Sequence, residues 1–394
     1  MFPKKITFTP QDIYFLVWII PLSAPYFFVN NSIISPVSSQ TESLVFFNIG
    51  IFYIFGFIFW LSGVRGGTDR VRLAVRKINF QKFRYKINLL FKLWCVIYLI
   101  NIIGSGGFPL LWVALGDSKT YVDFGLPTLG GFGNLLRAFI LSACYLIYFE
   151  SQLPKRTKNR YAAVGIFLVL SSFLLETGRG NGVVLVLHPI ALYLLLNKFS
   201  FSRLIKLFIA VMSFLIMLGS IQLIRYADGL DKLQIYAENS GFVDLNILEL
   251  LLVPSVMYVS IPIVNTDLNV QIAPPLQFSP YYSLQGFVPT VIRERIFESG
   301  DYGELVNDAN NVSSFYIPFI RDFGVFGAAT VVSFLTLIVA YCYAMASQGR
   351  IHYVLIYPAL FMSITLSFFS LFFTSLVVLL YPFLAIWSLR GCIK

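Results

Sequence analysis

Apolar runs long enough to cross a bilayer recur along almost the whole of this chain, joined by short connections rich in lysine and arginine. A span needs about 20 mainly apolar residues. The runs at 11–29, 43–62, 87–103, 130–149, 161–175, 183–197, 204–223, 315–345, 352–368 and 370–389 therefore predict about ten transmembrane helices. The first run follows Lys4 and Lys5 but lacks a small-residue cleavage site, so it reads as a retained helix. Composition agrees, with 57% hydrophobic and only 12% charged residues. A soluble domain carries about twice that charge density, and a β-barrel would show short alternating segments instead. The expected fold is an all-α polytopic membrane protein forming one integral membrane domain over residues 1–394.

The basic residues orient the spans. Between Arg65 and Lys86 stand eight lysines and arginines and a single acid, Asp69. Positive connections stay on the cytoplasmic side, and alternation then places the N-terminus, Lys155–Arg160, Lys198–Lys206, Gly349–His352 and the tail with Arg390 and Lys394 on that side too. Both termini are expected inside. The net charge of +10 is thus accounted for by membrane topology and not by nucleic acid.

The same alternation puts 30–42, 104–129, 176–182 and a large loop, 224–314, between the seventh and eighth spans on the outer side. The loop contains an apolar, proline-containing stretch from Asn246 to Ile263, which we expect to lie in the interface.

Soluble-enzyme signatures are missing: there is no Walker loop, HExxH, GxSxG or Asp-x-Asp. The four cysteines (Cys95, Cys144, Cys342, Cys392) lie too far apart for a metal site and read as small core residues. No metal or cofactor is expected. His188, next to Pro189 within a span, is expected to satisfy a neighbouring carbonyl.

Arginines on the outer side are the informative feature, because positive-inside bias disfavours them. Arg137 lies about two turns into the fourth span, where a charge costs about 2.5–3.5 kcal/mol and usually faces a cavity or a partner. Arg179 stands in the turn Glu176–Gly182 (ETGRGNG), Arg225 ends the seventh span, Arg293 lies late in the loop, and Arg321 precedes Asp322 in the eighth span. Each could pair internally, Arg179 with Glu176, Arg321 with Asp322, and Arg293 with Glu294 or Glu298. Taken together they suit a shared anion, and arginine's planar fork matches phosphate oxygens. The span 161–175 rises only about 22 Å at 1.5 Å per residue. That shortfall suggests that Glu176–Gly182 dips below the outer surface, its glycines turning backbone N–H groups into an anion nest. An anion at headgroup level on an apolar carrier suggests a lipid phosphate or pyrophosphate. Tyr281 and Tyr282, with Phe278 and Phe287, offer faces and hydroxyls for sugars.

The stretch Asn310–Gly327 (NNVSSFYIPFIRDFGVFG) resembles the O-antigen polymerase (Wzy) family, whose members carry an asparagine, a polar-aromatic stretch and a DFGxxG-like opening to the span after the large loop. Asn310, Asn311, Asp322, Phe323, Gly324 and Gly327 fit that pattern, and the TGRGNG turn is similar to a Gly-Arg turn of the family. The hydropathy layout agrees over nearly the whole chain. The resemblance implies a GT-C-like, metal-independent glycosyltransferase of the bacterial inner membrane, acting at its periplasmic face. Its substrates would be undecaprenyl-pyrophosphate-linked oligosaccharide repeats, and a chain-length regulator would be a partner. Arg137, Arg179, Arg225, Arg293 and Arg321 would then bind pyrophosphate, Asn310, Asn311, Tyr281 and Tyr282 the sugars, and Glu176, Asp322 or Asp308 would serve as the base. An O-antigen ligase or a lipid-linked oligosaccharide flippase is the competing expectation.

Overall fold

In a computed structural model of the chain, the structure describes residues 8–28, 31–62, 67–150, 152–198, 206, 220, 229–297, 303–306 and 312–393, with the backbone alone at 179 and 294. Among these, the regular structure is helical. The helices are α1 (Pro10–Phe27), α2 (Ser39–Leu61), α3 (Thr68–Arg76), α4 (Phe80–Ser105), α5 (Pro109–Leu115), α6 (Leu129–Phe149) and α7 (Lys155–Leu170). A π-helical turn, Ser171–Leu175, extends α7. There follow α8 (Arg179–Leu196), α9 (Gly229–Asn239), α10 (Ile247–Gln271), α11 (Thr290–Ile296), α12 (Tyr316–Ser347), α13 (Ile351–Thr365) and α14 (Leu376–Leu389). Six helical stretches are long and apolar enough to cross a membrane, and three shorter apolar helices accompany them. The protein is a polytopic membrane protein. The expected span at 204–223, apart from residues 206 and 220, lies outside the described residues.

Two aromatic-rich cores hold the helices together. In the first, α6 is wrapped by α4, α7, α8 and α14, with Phe139, Ile140, Ala143 and Ile147 fully buried along it. In the second, α1, α2, α10 and α12 close around Tyr14, Trp18, Phe52, Phe315 and Tyr316. Their polar tips are paired inside the core, Tyr14 with Tyr316 at 2.9 Å and Trp18 Nε1 donating to Ser367 at 3.0 Å. Paired tips let such rings be buried without orphaning a donor. His188 sits in the first core, hydrogen-bonded through Nδ1 to the Val184 carbonyl at 2.7 Å, as expected.

The basic connections gather at one end of the bundle. The Gly67 N–H donates to Ser347, and Asn79 N–H donates to Cys392. Arg72 reaches the Leu196 carbonyl, Arg84 reaches Thr157, and Lys198 pairs with Asp69. Segments that charge alone assigns to one side are therefore neighbours in space.

One expectation needs correction. The helix expected at 161–175 begins at Lys155, so with its π turn it spans 21 residues, about 31 Å. Lysine and arginine are good helix formers and can reach toward water from a span end, so the basic run Lys155–Arg160 continues the helix. The turn after it has no length shortfall to make up. The stretch from Asn246, expected in the interface, is one helix: α10 runs unbroken for 25 residues with Pro254 and Pro262 inside it. The residues before it and its own last turns touch residues 31–41, the α1–α2 connection and the start of α2. Asn31 donates to Ser240 O, and Ser38 and Thr41 donate to Asp267. Both thus lie at the end of the bundle where α1 meets α2.

Candidate functional site

Arg137 and Glu176 form a buried ion pair, each only a few per cent exposed. Arg137 comes from the third turn of α6, and Glu176 from the end of the π turn, where its N–H donates to Ser171 O at 3.1 Å. The guanidinium carbon lies 5.4 Å from the Trp94 ring centre and 5.6 Å from that of Tyr98. These two rings sit one turn apart on α4 and stack on each other at 5.0 Å. Aromatic faces and one carboxylate are what compensate the buried cation.

The compensation is incomplete in a specific way. Arg137 Nε and Nη1, Trp94 Nε1, Tyr98 Oη and Ser172 Oγ are all buried without a hydrogen-bond partner. Every one of these groups can donate. Buried donors without acceptors are costly and rare. The Trp94 and Tyr98 donors, on rings beside the guanidinium, suit with it an incoming anionic or hydroxyl oxygen.

The turn beside this pair departs from the expected nest. Gly178 and Gly180 have ordinary φ, and the positive φ of 47° falls on Thr177. Gly178 is the N-cap of α8 and makes no side-chain cap bond. The first intrahelical acceptor is Gly178 O, taken by Gly182 N–H at 3.1 Å, so the N–H groups of residues 179–181 head the helix without intrahelical partners. The backbone of this turn is thus a helix start and not a nest. Gly182 has a packing reason: a Cβ built there would overlap the Phe173 ring. Gly182→Ala is expected to push that ring off the π turn and cost about 1–3 kcal/mol, measurable as a lower melting temperature of the purified protein.

A second assembly surrounds Asp322. Its Oδ1 accepts from Tyr282 N–H at 2.9 Å and its Oδ2 from Ser283 N–H at 2.7 Å, while its carbonyl takes Ser279 N–H at 3.1 Å. Arg321 lies over the Tyr282 ring at 3.6 Å. The helix breaks at Gly324, with φ 70° and ψ 177°. A Cβ at Gly324 would meet Pro274 O at 2.7 Å, so glycine is needed for both conformation and room. Asp-Phe-Gly thus works as a bracket that fastens residues 274–283 to α12. Asp322→Ala is expected to free that loop and speed limited proteolysis between 277 and 297 several-fold, read on a gel time course. Arg321, Asp322, Tyr282 and the exposed Glu304 border a cavity of about 420 Å³. Tyr281, 37% exposed, packs on Tyr282 and Phe297.

Arg293 lies elsewhere, lining a cavity of about 150 Å³ with Thr128 and Leu135 of the α6 start and Leu376 of α14. The segment from Tyr282 to Arg293 therefore runs from the Asp322 bracket to the helix that carries Arg137, steadied midway where Gly286 abuts Thr374. The structure brings Arg137 together with Glu176, and Arg321 with Asp322 and Tyr282. It does not merge the two sets. Arg225, Asp308, Asn310 and Asn311 lie outside the described residues, as does the Arg179 side chain. Sequence reasoning missed Trp94, Tyr98, Ser172 and Glu304, although Trp94 and Tyr98 are visible as an aromatic pair four residues apart. Among the described residues no cluster of histidine, cysteine or carboxylates could hold a metal.

No family model, curated protein or solved structure matches the chain.

Proposed function

We propose that the protein is an O-antigen polymerase-type glycosyltransferase of the bacterial inner membrane, with a GT-C-like architecture. It would join undecaprenyl-pyrophosphate-linked oligosaccharide repeats at the periplasmic face. The observation that carries this reading is the buried, donor-rich surround of Arg137 beside the start of α8. It suits phosphate oxygens delivered on a lipid, whose apolar carrier can bring an anion to a site between membrane helices.

In the proposed reaction the hydroxyl of an incoming repeat attacks the anomeric carbon that links the growing chain to its pyrophosphate. The C–O bond to pyrophosphate breaks as the glycosidic bond forms, the hydroxyl proton passes to a carboxylate, and lipid pyrophosphate leaves with the electron pair. Arg137 and Arg179 stabilise the charge that builds on that leaving group, with Arg225, Arg293 and Arg321 as further anion contacts. Glu176 is the base candidate beside Arg137 and also fixes the guanidinium's orientation. Asp322 has both oxygens engaged by the loop, which favours a positioning role, and Asp308 stays a base candidate. Asn310, Asn311, Tyr281 and Tyr282 would line the sugar path, and a chain-length regulator would be the protein partner.

A deletion strain tests the reading. Its surface glycan is expected to carry single capped repeats with no ladder, and plasmid-borne protein should restore the ladder. Loss of even the single repeats would favour a flippase or a ligase.

A further inference from the structure

At the end of the bundle away from Arg137, the start of α4, the start of α7 and the C-terminal residues enclose a cleft of about 780 Å³. Phe149, which closes α6 at that end, lies under Arg72. It is 12 residues beyond Arg137, about 18 Å along the helix, so the cleft and the proposed catalytic region are separate. Lys82, Arg84, Lys86, Arg160 and Arg390 line the cleft, and among the described residues no carboxylate does.

Two of the five cations are committed to the fold. Lys86 donates to the carbonyls of Trp387 and Arg390 at 2.8 and 2.6 Å, and Arg84 donates to Phe80 O and Thr157 Oγ1. Lys82, Arg160 and Arg390 are exposed. Neither ion pair among the described residues involves them. Like charges held together without a counter-charge repel one another, so this arrangement is relieved by an anion.

The surroundings say what carries that anion. Past the cleft, α4 presents Leu89, Leu93 and Val96 on one exposed face, each about half exposed. Phe383 and Ile386 of α14 and Ile166 of α7 do the same. All three helices thus lead from cleft residues into bare apolar surface within about two turns. A soluble phosphate would use the cations and leave those faces empty; a phospholipid covers both. Basic pockets between membrane helices are suited to anionic headgroups.

The geometry points to a specific site for an anionic glycerophospholipid, its phosphodiester between Lys82, Arg160 and Arg390 and its acyl chains along α4 and α14. Bound there, the lipid also fastens the C-terminal residues, which meet the α3–α4 turn through the Ile78–Ile393 bridge and the Asn79–Cys392 hydrogen bond of 2.6 Å. The site serves the fold and is independent of the proposed polymerase chemistry.

The test uses the full-length protein in a neutral detergent, titrated with phosphatidylglycerol, phosphatidylcholine or inorganic phosphate while its melting temperature is followed. Phosphatidylglycerol alone is expected to raise the melting temperature saturably, by several degrees. Each cation near a membrane surface strengthens binding about fivefold, so the triple variant Lys82→Gln/Arg160→Gln/Arg390→Gln should need about 100-fold more lipid for the same shift. A control variant, Arg70→Gln/Arg76→Gln, removes charge at the same end outside the cleft and should respond like the parent. Should the triple variant prove polydisperse, Lys82→Gln and Arg160→Gln singly should each lose about fivefold. Equal shifts with phosphatidylcholine, an equal shift with phosphate alone, or an undiminished response in the variants would each overturn the assignment.

Discussion

Arg137→Met is expected to lower the melting temperature sharply and to abolish polymer, because it leaves Glu176 buried without its partner among Trp94, Tyr98 and the π turn. Breaking a buried pair from one side costs about 3–5 kcal/mol, whereas replacing both members by apolar residues is often neutral or stabilising. The double variant Arg137→Met/Glu176→Leu should therefore recover most of the lost stability and still make no ladder. That divergence separates the two roles of the pair. Thermal melting of purified protein reads the first, and a surface-glycan gel reads the second. A double variant that regained its ladder along with its stability would reduce Arg137 to a packing element and remove it from the anion site.

Arg179→Ala and Arg179→Lys are both expected to abolish the ladder while membrane levels, read by immunoblot, stay near those of the parent. The residue opens α8, where the head of the helix favours anions. Its guanidinium can grip two phosphate oxygens at once, which an ammonium cannot do. Failure of the lysine variant is the sharper half of this result. A normal ladder from Arg179→Lys would mean that charge alone suffices, and a normal ladder from Arg179→Ala would sink the pyrophosphate assignment.

Much of the helix layout was legible in the chain because apolar runs and basic connections are local signals. α1, α2, α6, α8 and α13 stand close to the runs that predict them. The misses were local too. Lys82, Arg84 and Lys86, like Lys155–Arg160, look like connections by charge, yet α4 begins at Phe80 behind an Asn79 cap and α7 at Lys155. Pro254 and Pro262 look like interruptions, but α10 continues through both. Helix propensity and proline penalties are averages that packing can override.

The site was less legible, since its meaning lies in pairings across long separations. Arg137 stood out as a charge inside a span, but Glu176 is 39 residues away, and nothing local distinguishes it as the partner rather than Arg179's neighbour. The Asp-Phe-Gly stretch was visible, whereas the task of Asp322 was not. Its partners are the backbone N–H groups of Tyr282 and Ser283, and backbone groups leave no mark in a sequence. The unpartnered donors of Trp94 and Tyr98 emerge only once α4 is packed against the helix that carries Arg137.

The central claim is that this protein lengthens glycan chains by displacing lipid pyrophosphate. It is tested most directly by placing the purified protein in liposomes with undecaprenyl-pyrophosphate-linked repeats and following glycan length together with released lipid pyrophosphate. The account predicts a ladder of products with one lipid pyrophosphate released per bond formed, without added metal, and neither signal from Arg179→Ala. Movement of the intact lipid-linked repeat across the bilayer with no bond formed and no pyrophosphate released would contradict it.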